Sequence, residues 1–96
     1  MDNLFVVSYD IMDPKRWNKV HRKMKGFGEP LQYSVFACRL TDQGLVRLMT
    51  ALEELIDPDA DRVMIVNIGP AEGKASDRVR FLGRREDFPE RKATIV

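Results

Sequence analysis

Residues 3–9, Asn-Leu-Phe-Val-Val-Ser-Tyr, form an almost unbroken run of aliphatic, β-branched and aromatic side chains that stops at Asp10. A strand with one wet face alternates apolar and polar residues. One this uniformly apolar has to be covered on both faces, as a central strand or at an interface. A short chain can meet that demand only by laying helices on one side of a small sheet and finding further cover on the other.

The rest of the pattern supplies those helices. Asp13 reads as an N-cap and Pro14 as the first helical residue, where a missing N–H costs nothing. A helix follows over residues 14–25 and stops at Gly26 and Gly28. At 100° per residue Trp17, Val20 and Met24 share one narrow arc with His21 on its edge. Lys15, Arg16, Lys19, Arg22, Lys23 and Lys25 fill the remainder, and the helix holds no acid.

Residues 29–40 alternate with a period of two and read as an extended ribbon with Pro30 near its start. Thr41 caps a second helix, predicted to run to about Ile56, with Leu45, Leu48, Met49, Leu52, Leu55 and Ile56 on one face. Asp57-Pro58-Asp59 ends it. A strand over residues 62–68 closes at Gly69-Pro70.

Strand, helix, ribbon, helix, strand is the order of a split βαβ, that is, an α+β ferredoxin-like βαββαβ sandwich. The ribbon must then hold two short strands. Residues 1–70 form the domain, and residues 71–96 read as an extra C-terminal strand and tail. The apolar end at Ala93, Thr94, Ile95 and Val96 suggests docking across a symmetric homodimer.

Ninety-six residues leave room for one core. No apolar run approaches the roughly 20 residues needed to cross a bilayer. Met1-Asp2 lead straight into the first strand without a leader-like stretch, so no membrane association and a cytoplasmic location are expected. The single Cys38 excludes an intramolecular disulfide and a multi-cysteine zinc site. The net charge of +1 conceals segregation: residues 1–40 carry +3, residues 41–61 carry −5 and residues 62–96 carry +3. Cations therefore gather on particular elements, an arrangement suited to a polyanionic partner.

No phosphate-binding glycine loop, dinucleotide fingerprint, zinc-protease helix or nucleophile elbow is present. His21 and Cys38 read as packed or solvated side chains, and Trp17 as core. Asp10 differs from these, being a carboxylate directly after a buried strand and beside a wholly cationic helix. Magnesium often takes one or two protein carboxylates and completes its shell with water and phosphate oxygens. Two copies of Asp10 across a two-fold axis would supply enough. Spacing alone leaves that role and a simple turn cap both open.

The strings Val7-Ser8-Tyr9-Asp10-Ile11 and Gln32-Tyr33-Ser34-Val35-Phe36 frame the basic helix. With the Leu40-Thr41 step into a leucine-rich helix and the strand from Val63 to Ile68, they resemble CRISPR-associated protein two. The likeness spans residues 3–70. It implies a ferredoxin-like homodimer whose C-terminal strands pair across the dimer. It also implies a part in CRISPR adaptation (spacer acquisition), bridging CRISPR integrase dimers along duplex DNA.

Several members of that family are metal-dependent endonucleases on RNA or double-stranded DNA. The resemblance therefore implies Asp10 as ligand of a divalent cation such as Mg2+, with Tyr9 and Phe36 in the same catalytic constellation. Duplex DNA, and single-stranded RNA as a second substrate, would meet Lys15, Arg16, Lys19, Arg22 and Lys23, with Arg78, Arg80, Arg84 and Arg85 as a second set. Some nuclease-active relatives carry arginines where this chain has Trp17, Lys19 and Pro30, and only Lys19 keeps the charge. Three alternatives stay open: a structural DNA-binding bridge without catalysis, an RNA-cleaving toxin of similar fold, and a metabolite-binding regulator. The six cations of the acid-free helix weigh against the last.

Overall fold

The computed structural model describes residues 1–84. Its elements are β1 (Asn3–Asp10), α1 (Pro14–Lys25), β2 (Glu29–Gln32), β3 (Val35–Leu40), α2 (Asp42–Glu53) and β4 (Arg62–Pro70), followed by a single 3-10 turn over Ala75–Arg78. The strands form one sheet in the order β2-β3-β1-β4. Every neighbouring pair is antiparallel. Each strand–helix–strand unit thus straddles one strand of the other, and β1 lies inside the sheet as its composition demands.

Pleating sends Phe5, Val7 and Tyr9 of β1 to the helical side. There they meet Phe36, Cys38 and Leu40 of β3, Val20 and Met24 of α1, and Leu48 and Leu52 of α2. Leu4, Ala37 and Ala75 form a smaller cluster on the opposite face, flanked by Leu31, Ile68, Ala71 and Val79. The residues after β4 therefore double back as a partial second cover for β1. Met64 and Val66 on the edge strand β4 remain exposed, at 57% and 41%.

Local chemistry fixes the element ends. The Asp13 carboxylate accepts from the Arg16 backbone N–H at 3.0 Å, and Thr41 Oγ1 accepts from the Gly44 N–H at 3.0 Å. Gly28 lets the chain leave α1 pressed against β3; a Cβ there would lie 2.2 Å from the Ala37 carbonyl oxygen. Gly69 adopts φ +122° at a bulge against Leu4 and Phe5, a conformation that disfavours any side chain.

The end of α2 and the segment after Pro70 differ from expectation, while the ribbon does not. Helix α2 ends at Glu53 instead of Ile56, because the N–H groups of Leu55 and Ile56 both bond to the Leu52 carbonyl and tighten the last turn. The ribbon does hold two strands, separated only by Tyr33-Ser34. Past Pro70 the described residues hold a 3-10 turn and no strand. The expected docking of Ala93–Val96 lies outside the described residues, as does Arg85. No helix among the described residues is long and apolar enough to cross a membrane.

Candidate active site

Strand β1 delivers Asp10 to the rim of the sheet, where it pairs in register with Arg62 and stays exposed. It borders an open groove of about 500 Å³ whose walls include Tyr9, Met12, Trp17, Asn18, Tyr33 and Ser34. Among the described residues no three His, Cys, Asp or Glu side chains gather closely enough to hold a metal ion. The described residues of one copy therefore offer the Asp10 carboxylate and no cage.

Beneath the groove lies an aromatic cluster. Tyr9 is 3% exposed, and its hydroxyl lies 2.7 Å from His21 Nδ1. Burial, with a smaller contribution from Tyr33, pushes the Tyr9 phenol up to about 12. The His21 ring sits in partly desolvated surroundings and near Lys25, both of which hold its pKa below the usual imidazole value. The phenol therefore stays protonated at neutral pH and pairs with a neutral imidazole, whose tautomer sets the direction of the bond. Phe36 is fully buried, 6.2 Å from Tyr9 and edge-on to His21 at 5.4 Å. It supports these rings from below and has no surface in the groove.

Ser34 ties the hairpin to this cluster twice. Its carbonyl accepts from the Tyr9 N–H at 3.0 Å, and its Oγ accepts from Trp17 Nε1 at 2.8 Å. Trp17 in turn stacks on His21 and on Tyr33, with centroids 4.5 Å apart in both pairs. Trp17 is thus half-buried and polar-anchored. A purely apolar core position would not show the Nε1 hydrogen bond.

The loop between Asp10 and α1 is held by Asp61. This carboxylate is buried and accepts four N–H donors: Met12 N at 2.9 Å, Asp57 N at 2.8 Å, Arg16 Nε at 2.8 Å and Arg16 Nη2 at 3.2 Å. The Arg16 guanidinium, with the two backbone donors, holds the Asp61 carboxyl well below the usual carboxylate range. Of the cations assigned to nucleic acid, Arg16 is thereby engaged inside the protein, while Lys15, Lys19, Arg22 and Lys23 stand exposed along α1. Arg78 Nη1 donates to the Ile68 carbonyl at 2.8 Å; Arg80 and Arg84 are exposed.

Sequence reasoning missed Asp61 and the ring pile. The i, i+4 spacing of Trp17 and His21 signals their contact. Tyr33 reaches Trp17 only because the hairpin turns there, and nothing in the chain pairs residues 16 and 61. Cys38 is fully buried, with its thiol pushed up to about 11 by burial, as a packed side chain requires.

The family model described as CRISPR associated protein Cas2 matches residues 3–75. A Rhodospirillum rubrum protein named CRISPR-associated endoribonuclease Cas2 1 is 42% identical over 99% of this chain and 92% of its own. A Geobacter sulfurreducens protein named CRISPR-associated endoribonuclease Cas2 is 38% identical over the whole of both. Among solved structures, Streptococcus pyogenes Cas2 superimposes with a TM-score of 0.70 at 29% identity, over 83% of this chain and 99% of that one. A Thermus thermophilus protein, solved as a hypothetical protein, gives a TM-score of 0.74 at 33% identity, over 88% and 94%. Tyr9-Asp10, the basic helix and the Gln32-to-Phe36 hairpin all fall within the matched residues, and the chain belongs to the CRISPR-associated Cas2 family.

Proposed function

We propose that this chain is a ferredoxin-like, homodimeric CRISPR adaptation subunit that binds duplex nucleic acid together with the CRISPR integrase and cleaves phosphodiesters with a divalent cation. The observation that carries the reading is the exposed Asp10 on the rim of an open groove, beside an acid-free cationic helix. Relatives named as endoribonucleases across the full length of the chain support it.

The donor set suits a hard, mostly hydrated cation. One exposed carboxylate, with no His or Cys among the described residues lining its groove, fits magnesium, and a second copy would bring the second carboxylate. A bound magnesium ion would supply Lewis-acid polarisation of a phosphoryl oxygen and a lowered pKa for water. The chain's own residues do the positioning. Tyr9 and Phe36 pack the end of β1, Asp61 fixes the loop after Asp10, and Lys15, Lys19, Arg22 and Lys23 face outward to meet phosphates.

The dimer rests on β4. This edge strand spans nine residues with exposed Met64 and Val66. A long apolar edge of this kind pairs readily with a second chain.

Mixing wild type with Asp10→Ala at fixed total concentration tests the shared site. If both copies supply a carboxylate, magnesium-dependent cleavage falls as the square of the wild-type fraction. A linear fall would show that each Asp10 acts independently of the other copy. The absence of a metal-binding cluster among the described residues also favours a second reading, a structural bridge in which Asp10 does no chemistry. Nuclease-free preparations that bind duplex DNA and cleave nothing would select it.

A further inference from the structure

Three rings form a single pile at the mouth of the groove. Trp17 lies 4.5 Å from His21 at an interplanar angle of 13°, and 4.5 Å from Tyr33 at 14°. Two rings that close and that parallel cannot share one face of an indole, so Trp17 is sandwiched. Its Nε1 bond to Ser34 fixes the plane of the pile. Tyr33 caps it and is 75% exposed, so the ring face turned away from Trp17 is open to solvent. Tyr33 and Asp10 line the same groove.

We propose that the outer face of Tyr33 is a stacking site for one unpaired nucleobase of a single strand. The site seats the strand so that its adjoining phosphate faces Asp10. This rests on the nucleic-acid reading above and adds to it a base contact at Tyr33.

The pile is rigid before anything binds, so stacking a fourth plane orders little of the protein. Arg62, exposed and in register with Asp10 at the rim of the sheet, supplies positive charge beside the groove. A cation at the rim favours a nucleotide over a neutral aromatic ligand. An unpaired base is required because the faces of paired bases inside a duplex are already covered by their neighbours. Every base has a π face, so the site tolerates sequence.

Binding in EDTA isolates this contact from cleavage. The probes are a fluorescein-labelled single-stranded RNA of about 12 nucleotides and a blunt DNA duplex of the same length. The same RNA carrying one 2-aminopurine reports stacking by quenching. Tyr33→Leu keeps an apolar cap over Trp17 and removes the π face, Tyr33→Ala removes both, and Tyr33→Phe keeps the ring.

We expect Tyr33→Leu and Tyr33→Ala to weaken the single strand by roughly 5- to 100-fold and abolish the quenching, with duplex affinity unchanged. Tyr33→Phe should behave as wild type. Single-strand affinity unaltered by Tyr33→Leu and Tyr33→Ala overturns the stacking site alone. Equal loss on both probes also overturns it, since a lost stack spares a blunt duplex. Wild type that binds neither probe overturns this inference together with the nucleic-acid reading beneath it.

Discussion

The Tyr9 hydroxyl and His21 Nδ1, 2.7 Å apart, join the strand that carries Asp10 to the helix that carries the cations. Burial and the nearby Lys25 favour the neutral imidazole in this pair. A histidine whose folded pKa lies below its usual 6.5 contributes stability that is full above that value. The contribution is lost as pH falls through the depressed folded value. NMR titration of His21 should place its midpoint below 6.5. Tyr9→Phe should cost about 1 kcal/mol at neutral pH by leaving Nδ1 without its hydrogen-bond partner, as read by urea unfolding.

Asp61 sets a second, more acidic window. Its folded pKa is depressed by Arg16 and by the Met12 and Asp57 N–H groups, so its contribution is complete above the ordinary carboxylate value near 3.8. It is lost as pH falls below that toward the folded value. Asp61→Asn should lower Tm at pH 7 by more than about 5 °C and make the loss of stability below pH 4 shallower than in wild type. Equal pH profiles for the two proteins would remove Asp61 from this role.

Nucleic-acid affinity should scale with the exposed cations of α1. Neutralising one phosphate contact reduces the slope of log affinity against log salt by about 0.9 for a duplex. Lys19→Ala and Lys23→Ala should each show that reduction. Arg16→Lys should lower thermal stability more than it alters the slope, because its guanidinium is committed to Asp61. Filter binding across a salt series separates the two behaviours.

The exposed β4 edge predicts self-association. Wild type should sediment at twice the 11.1 kDa chain mass at micromolar concentration. Val66→Lys should shift it toward one chain mass without lowering monomer stability, since that side chain already faces solvent. A monomeric wild type would remove the dimer from the account, and with it the paired carboxylates.

The architecture was largely legible in the sequence because its signals are local. The bounds of α1 follow from Asp13-Pro14 and Gly26, and the central place of β1 follows from its unbroken apolar run. The end of α2 was overestimated because Leu55 and Ile56 continue the apolar face while the backbone has already tightened. Asp10 at the rim could be read from strand–polar–cap order alone. The Tyr33–Trp17 stack and the Arg16–Asp61 pair could not, since each joins segments whose meeting depends on the hairpin turn or on how β4 returns beside β1. The resemblance supplied Phe36 as part of the site, and its complete burial makes it a support for Tyr9 and His21 that leaves the groove to others.

The most direct measurement is single-turnover cleavage of labelled RNA and duplex DNA by wild type and Asp10→Ala, each with magnesium and with EDTA, in preparations cleared of contaminating nuclease. Asp10 holds the cation in this account, so wild type should cleave with magnesium and not with EDTA. Asp10→Ala should lose at least about 100-fold in rate while keeping its dimer mass and its metal-free affinity. Equal magnesium-dependent cleavage by the two proteins would contradict Asp10 as the metal ligand.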